Sequence, residues 1–98
     1  MATISARFTP PSLSSAEYDE IIRRLEAAGA GHPPGRLYHA CYGPEGGLNV
    51  LDVWQSEESF AAFGQILFPI LQQLGVDPGQ PEVLPLHSVI VPSPVVAA

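Results

Sequence analysis

The sequence predicts an α+β fold in which two helices cover one face of a four-stranded antiparallel sheet. Short segments alternate between apolar and polar residues, as strands do, and two longer segments carry apolar residues at helical spacing. The segments follow the order strand, helix, strand, strand, helix, strand. Two strand–helix–strand halves of this kind build one antiparallel sheet with both helices on the same face.

The first strand and the first helix fill the first third of the chain. Residues 2–8 alternate in polarity, which predicts a strand. Ser14 and Glu17 have the spacing of a capping box, so a helix is expected to begin after Ser14. Gly29 or Gly31 can supply the left-handed residue that ends this helix. Its apolar stripe consists of Tyr18, Ile21, Ile22, Leu25 and Ala28.

The middle of the chain reads as a hairpin. Residues 36–43 and 48–55 are the two predicted strands, and the Pro-Glu-Gly-Gly segment at 44–47 joins them. A connection this short requires the two strands to pair antiparallel.

The second helix and the last strand complete the pattern. Ser56 is placed to cap the helix and Gly75 to end it. Pro69 lies inside the helical pattern, so we expect a kink or a break near Leu67. Residues 82–91 are the predicted last strand.

Length and composition limit the classes of function. Ninety-eight residues predict one small domain, here residues 1–91, with a short tail at 92–98. The net charge of −6 and the absence of lysine argue against nucleic acid and against an anionic membrane as partners. The single cysteine, Cys41, excludes a disulfide within the chain. Without a secretory signal pattern, the protein is expected to be cytoplasmic.

The face of the sheet away from the helices predicts a homodimer. If Leu51 and Val53 pack under the helices, then Val50, Asp52 and Trp54 point away from them. Such a face is too apolar to meet water, and a second copy of the chain is the expected cover. The two sheets then enclose a cavity for a small apolar or aromatic molecule.

A candidate site follows from the expected strand order 4-1-3-2, which brings one polar residue from each strand to that face. These residues are Arg7, His39, Asp52 and His87. A carboxylate such as Asp52 can raise the basicity of a histidine, so that His39 or His87 acts as general base toward a phenol or an enol carbon. Arg7 or a tyrosine can hold the resulting oxyanion.

Each of these residues also has a purely structural interpretation. Asp52 can pair with Arg7 across neighbouring strands and fix their register. Trp54, the candidate platform for a ligand, can equally be core of the dimer, as can the histidines. His39, His87 and Asp52 stand on separate strands without the local spacing of a metal motif, so neither a metal nor another cofactor is predicted.

One segment carries a family resemblance. The stretch LNVLDVWQSEESFAAF, followed by LFPIL, resembles the dimeric α+β barrel superfamily, and within it the antibiotic-biosynthesis-monooxygenase-like proteins. The resemblance implies a ferredoxin-like βαββαβ sandwich, a dimer and, in some members, oxidation of aromatic substrates without metal or flavin. Many such members carry a histidine in the helix after the Trp-Ser-Glu segment, and residues 60–64 contain none.

Two functions therefore remain open. The first is a homodimer that binds a small apolar or aromatic molecule, with enzymatic use of the pocket, by proton abstraction or cofactor-free oxygenation, left open. The second is a non-catalytic module for dimerisation or binding. The volume of the cavity separates them, because sites for small molecules usually exceed about 300 Å³.

Overall fold

The computed structural model describes residues 2–90 and has the predicted order of strands and helices. The elements are β1 (Ile4–Phe8), α1 (Ser15–Ala27), β2 (Arg36–Tyr42), β3 (Asn49–Trp54), α2 (Glu57–Leu74) and β4 (Glu82–Pro85). The strands form one antiparallel sheet in the order β2-β3-β1-β4, as predicted. This is the ferredoxin-like α+β arrangement. Neither helix within residues 2–90 is long and apolar enough to cross a membrane. The predicted tail at 92–98 lies outside the described residues.

The helix ends lie where their capping residues predict. Ser14 Oγ accepts a hydrogen bond from the Glu17 amide at 3.1 Å, and the Glu17 carboxylate accepts one from the Ser14 amide at 3.0 Å. Ser56 Oγ accepts from the Ser59 amide at 3.1 Å at the start of α2. Gly75 ends α2 in the left-handed conformation, with φ of 69°. These contacts satisfy amides that the first turn of a helix leaves free.

Two elements differ from their predicted extents. Of the two alternatives expected at Pro69, the break near Leu67 is wrong, because α2 continues through Pro69 as one helix of 18 residues, and the kink stays a prediction. Ile70 and Leu71, just beyond the proline, are buried in the core, and this packing keeps the helix in place. The last strand ends at Pro85 instead of residue 91, because Pro85 lies opposite Ile4, the first residue of β1, and only one further backbone hydrogen bond among the described residues, from Leu86 to Thr3, follows it.

The inner face of the sheet is the one that the helices cover. It carries the β3 residues that were predicted to lie on the opposite face. The buried residues Ile4 and Ala6 of β1 lie opposite Trp54 and Asp52. Trp54 packs against Phe60 and Phe63 of α2, so Asp52 and Trp54 face the helices. The prediction that both residues point away from the helices is therefore wrong. Burying the large indole favours this face, and the strict alternation of a strand carries Asp52 with it.

The outer face of the sheet, away from the helices, is largely apolar. It comprises Ser5, Arg7, Tyr38, Ala40, Tyr42, Asn49, Leu51, Val53, Glu82 and Leu84. Arg7 lies opposite Leu51 and Glu82, on the other side of the sheet from Asp52. The alternative pairing of Asp52 with Arg7 is consequently wrong as well.

Candidate active site

Three side chains from three elements form a hydrogen-bonded chain between the sheet and α1. Asp52 of β3 and His39 of β2 are directly opposite in the ladder. The Asp52 Oδ1 and His39 Nδ1 atoms are 2.5 Å apart, and His39 Nε2 lies 2.6 Å from the Tyr18 hydroxyl. The rings of Tyr18 and His39 are nearly parallel, with centroids 6.0 Å apart. The chain therefore runs from a buried carboxylate through an imidazole to a phenol.

The partners of His39 determine how protons are placed along this chain. Asp52 is only 3% exposed, and as a carboxylate it accepts the hydrogen bond that the Nδ1–H of His39 donates. A neutral His39 then has its lone pair on Nε2, where it accepts from the Tyr18 hydroxyl. Burial raises the pKa of the Tyr18 phenol, so Tyr18 remains a protonated donor at neutral pH.

An inner cavity of about 70 Å³ adjoins the hydrogen-bonded side chains of Asp52, His39 and Tyr18. Tyr18, His39, Asp52 and Arg36 line it together with apolar side chains from both helices and the sheet. The Arg36 guanidinium lies over the ring of Phe63, 5.6 Å from its centroid, and donates a hydrogen bond to the carbonyl of Gly31 at 3.3 Å. Polar groups thus converge on an otherwise apolar space, as is typical of small-molecule sites.

A β-bulge brings Arg36 to this cavity. Arg36 lies opposite Trp54 while Tyr38 lies opposite the adjacent residue, Val53, so Leu37 is the extra residue of β2. Simple alternation groups Arg36 with Tyr38 on the outer face. The bulge instead places Arg36 on the inner face, with His39.

A carboxylate in the hairpin between β2 and β3 anchors the start of α1. The two oxygens of Glu45 accept hydrogen bonds from the Ser15 amide at 2.8 Å and from the Ser15 hydroxyl at 2.6 Å. The Leu48 amide also donates to the carbonyl of Leu13 at 3.1 Å. A negative group at a helix N-terminus is favourable, and here it fixes the turn that carries Tyr18.

The structure brings together only some of the residues predicted for the site. Asp52 and His39 meet as expected, but on the inner face of the sheet. Arg7 lies on the outer face, and His87 is exposed beyond the end of β4, so neither reaches this cavity. Within residues 2–90, no three His, Cys, Asp or Glu side chains are grouped as metal ligands.

Trp54, the predicted ligand platform, lies in the core beside the cavity. It is 0% exposed, and its ring centroid is 5.2 Å from that of Phe63. Its indole Nε1–H has no hydrogen-bond partner among the described residues. A buried donor without an acceptor is rare in folded proteins.

Sequence reasoning missed two members of the site. Tyr18 belongs to the apolar stripe of α1, and its hydroxyl is the one polar group in that stripe. This hydroxyl would have indicated Tyr18 as a site residue if the site had been expected on the face of the sheet that the helices cover. Arg36 gave no such signal, because nothing in the alternation of β2 reveals the bulge.

Comparisons with known proteins yield structural matches only. No protein-family model matches the chain, and no curated protein matches it. A proposed antibiotic biosynthesis monooxygenase from Chloroflexus aurantiacus is similar with a TM-score of 0.65 and 14% identity, over 92% of this chain and 98% of that one. SnoaB from Streptomyces nogalater, a cofactor-independent oxygenase, matches with a TM-score of 0.58 and 17% identity, over 91% and 95%.

A third solved structure was determined with a bound molecule. It is a monooxygenase from the ActVA-Orf6 gene of Streptomyces coelicolor in complex with nanaomycin D. Its TM-score is 0.57 at 19% identity, and the match covers 94% of each chain. At such identities the likeness establishes the fold, and it confirms the resemblance found in the sequence. The chain therefore has the fold of the antibiotic biosynthesis monooxygenase-like proteins.

Proposed function

We propose that the protein binds a small aromatic molecule with an acidic hydroxyl group and deprotonates it as the first step of a cofactor-independent oxygenation. The observation that carries this proposal is the Tyr18–His39–Asp52 chain at the edge of an apolar cavity. Two proteins with this fold support it, since SnoaB is a cofactor-independent oxygenase and the S. coelicolor monooxygenase binds nanaomycin D.

Each residue of the hydrogen-bonded series Tyr18–His39–Asp52 has a defined part in the proton transfer. The substrate hydroxyl donates to the Tyr18 oxygen, and the Tyr18 proton passes to His39 Nε2. Asp52 holds the imidazole in the required tautomer and stabilises the imidazolium that forms. Arg36, the cation that lines the cavity, stabilises the aryl oxyanion.

The oxidation needs no external reductant. The phenolate carries its negative charge partly on the ring carbon para to the oxygen, and this carbon transfers electrons to dioxygen. One oxygen atom is bonded to the carbon as a carbonyl, and the other leaves as water with the two hydrogens lost by the phenol. The overall change is phenol plus dioxygen to quinone plus water.

Binding of 1-naphthol tests the proposal. The hydroxyl is expected to donate to the Tyr18 oxygen and to polarise the hydrogen bond from Tyr18 to His39, so titration with 1-naphthol should shift the imidazole resonances of His39 in NMR spectra. The resonances of exposed His87 should not move and serve as the internal control. Unchanged His39 resonances with millimolar 1-naphthol and with nanaomycin D would rule the proposed function out.

A second function, a non-catalytic module for dimerisation, also has support. The inner cavity of about 70 Å³ is far below the roughly 300 Å³ of most small-molecule sites. The outer face, in contrast, exposes Tyr38, Tyr42 and Leu84. This function is favoured if 1-naphthol does not bind and the chain is nevertheless a dimer.

We also propose that the outer face of the sheet binds a second copy of the chain. An antiparallel sheet that meets water normally has a polar face, and this one is mainly apolar. The low share of charged residues, 14%, is in keeping with such burial.

Replacing Leu84 with Asp is expected to dissociate the dimer, because a charge without a partner would enter the interface. Light scattering at micromolar concentration should give about twice the chain mass of 10.4 kDa for the natural protein and the monomer mass for the variant. Phe68→Asp, at an exposed position of α2, should remain dimeric. A well-folded natural monomer would contradict this proposal.

A further inference from the structure

A second space, distinct from the inner cavity, also has Phe63 among its lining residues. This outer cleft, of about 350 Å³, is formed by the loop between α1 and β2 and by the exposed side of α2. Ala30, Pro33, Ala62 and Ile66 supply much of its apolar wall. Phe63 lines both the outer cleft and the inner cavity, so its ring forms a wall common to the two.

The neighbours of Phe63 are two donors suited to a ligand oxygen. The Arg36 guanidinium lies 5.6 Å from the centre of the Phe63 ring on one side. The Trp54 ring lies 5.2 Å away, and its N–H has no partner among the described residues. A Phe63 ring that rotated out of this position would join the two spaces and change the surroundings of the Trp54 ring that it contacts.

We propose that the inner cavity and the outer cleft are two compartments of one ligand site, divided by Phe63. The proposal rests on the proposed function for its inner compartment and adds the outer one. The ligand is an elongated aromatic molecule with an acidic hydroxyl at one end. The hydroxyl end lies near His39 and Arg36, while the second ring occupies the outer cleft against Pro33 and Ile66.

Charge and volume set the ligand's orientation. Glu58 lines the outer cleft and is exposed, so it disfavours an anionic group there, whereas Arg36 favours one in the inner cavity. The outer cleft by itself falls in the range of small-molecule sites. The two compartments together thus provide more space for an aromatic substrate than the inner cavity alone.

Two ligands and one pair of variants test the inference. Phenol has a single ring and can reach only the inner compartment, whereas 4-hydroxybiphenyl places its second ring in the outer one. Ala62→Phe fills the outer cleft from an exposed position of α2, and Ala61→Phe adds the same ring to the adjacent exposed position, which does not line the cleft. Affinities from calorimetry should show that Ala62→Phe weakens 4-hydroxybiphenyl by about tenfold or more and leaves phenol unchanged, because only the second ring loses its apolar contacts.

The NMR signal of the Trp54 indole N–H gives an independent readout. It is expected to shift with 4-hydroxybiphenyl, since the larger ligand displaces Phe63, and to move much less with phenol. If both ligands bind but Ala62→Phe has the same affinities as Ala61→Phe, the two-compartment site is wrong and the proposed function stands. If neither ligand binds the natural protein, the proposed function and the two-compartment site both fail.

Discussion

Trp54→Ala is expected to lower the free energy of unfolding by about 3–5 kcal/mol, the usual cost of removing a large aromatic side chain from a core. The indole is fully buried between Phe60 and Phe63, and its removal leaves a cavity that these rings cannot fill without moving. Since about 1 kcal/mol shifts the melting temperature of a domain this size by roughly 4–8 °C, the midpoint should fall by more than about 10 °C.

Chemical denaturation of three variants measures this effect. Trp54→Phe keeps part of the aromatic packing and should cost less than Trp54→Ala. Leu37→Ala, at an exposed position of β2, should change stability little. A Trp54→Ala variant as stable as the Leu37→Ala control would show that the indole is not a structural anchor.

His39→Gln is expected to reduce the oxidation of 1-naphthol by about 10²–10⁴-fold, the usual contribution of a general base. Glutamine can still form hydrogen bonds with Asp52 and Tyr18, but its amide takes up no proton at neutral pH. Oxygen consumption with 1-naphthol gives the rate, and a melting curve shows whether the variant is folded.

His87→Gln is the matched control for this experiment. His87 is exposed beyond β4, so its replacement should leave the rate of 1-naphthol oxidation unchanged. Equal rates for the natural protein and for folded His39→Gln would exclude His39 as the base. A natural protein that binds 1-naphthol but consumes no oxygen with it would limit the function to binding.

The ends of the elements were predictable because local chemistry determines them. The capping residues of α1, Ser14 and Glu17, and of α2, Ser56, form hydrogen bonds with backbone amides within one turn of their own position. Gly75 ends α2 by adopting the left-handed conformation. Such contacts depend on neighbouring residues and hardly on the rest of the fold. The extent of β4 was less predictable, since an apolar run beyond Pro85 can look like a strand without having a partner.

The pairing of His39 with Asp52 was predictable even though their face of the sheet was not. Residues opposite each other on neighbouring strands share a face whichever side the helices cover. The face itself depends on which side chains the helices enclose, and here Phe60 and Phe63 enclose Trp54. Tyr18 reaches the site from α1. The sequence predicted the site on the face of the sheet that the helices do not cover, so it did not indicate Tyr18.

The bulge in β2 has a consequence for the comparison of homologous sequences. Leu37 is an insertion within a strand, and its presence, rather than the type of residue at position 36, decides on which face Arg36 lies. A homologue without this insertion would carry its cavity-lining cation one column away from Arg36 in an ungapped alignment. Column-by-column conservation would then score Arg36 as variable although the charge occupied the same place in space. An alignment guided by strand pairing, with a gap allowed at position 37, would recover the equivalence.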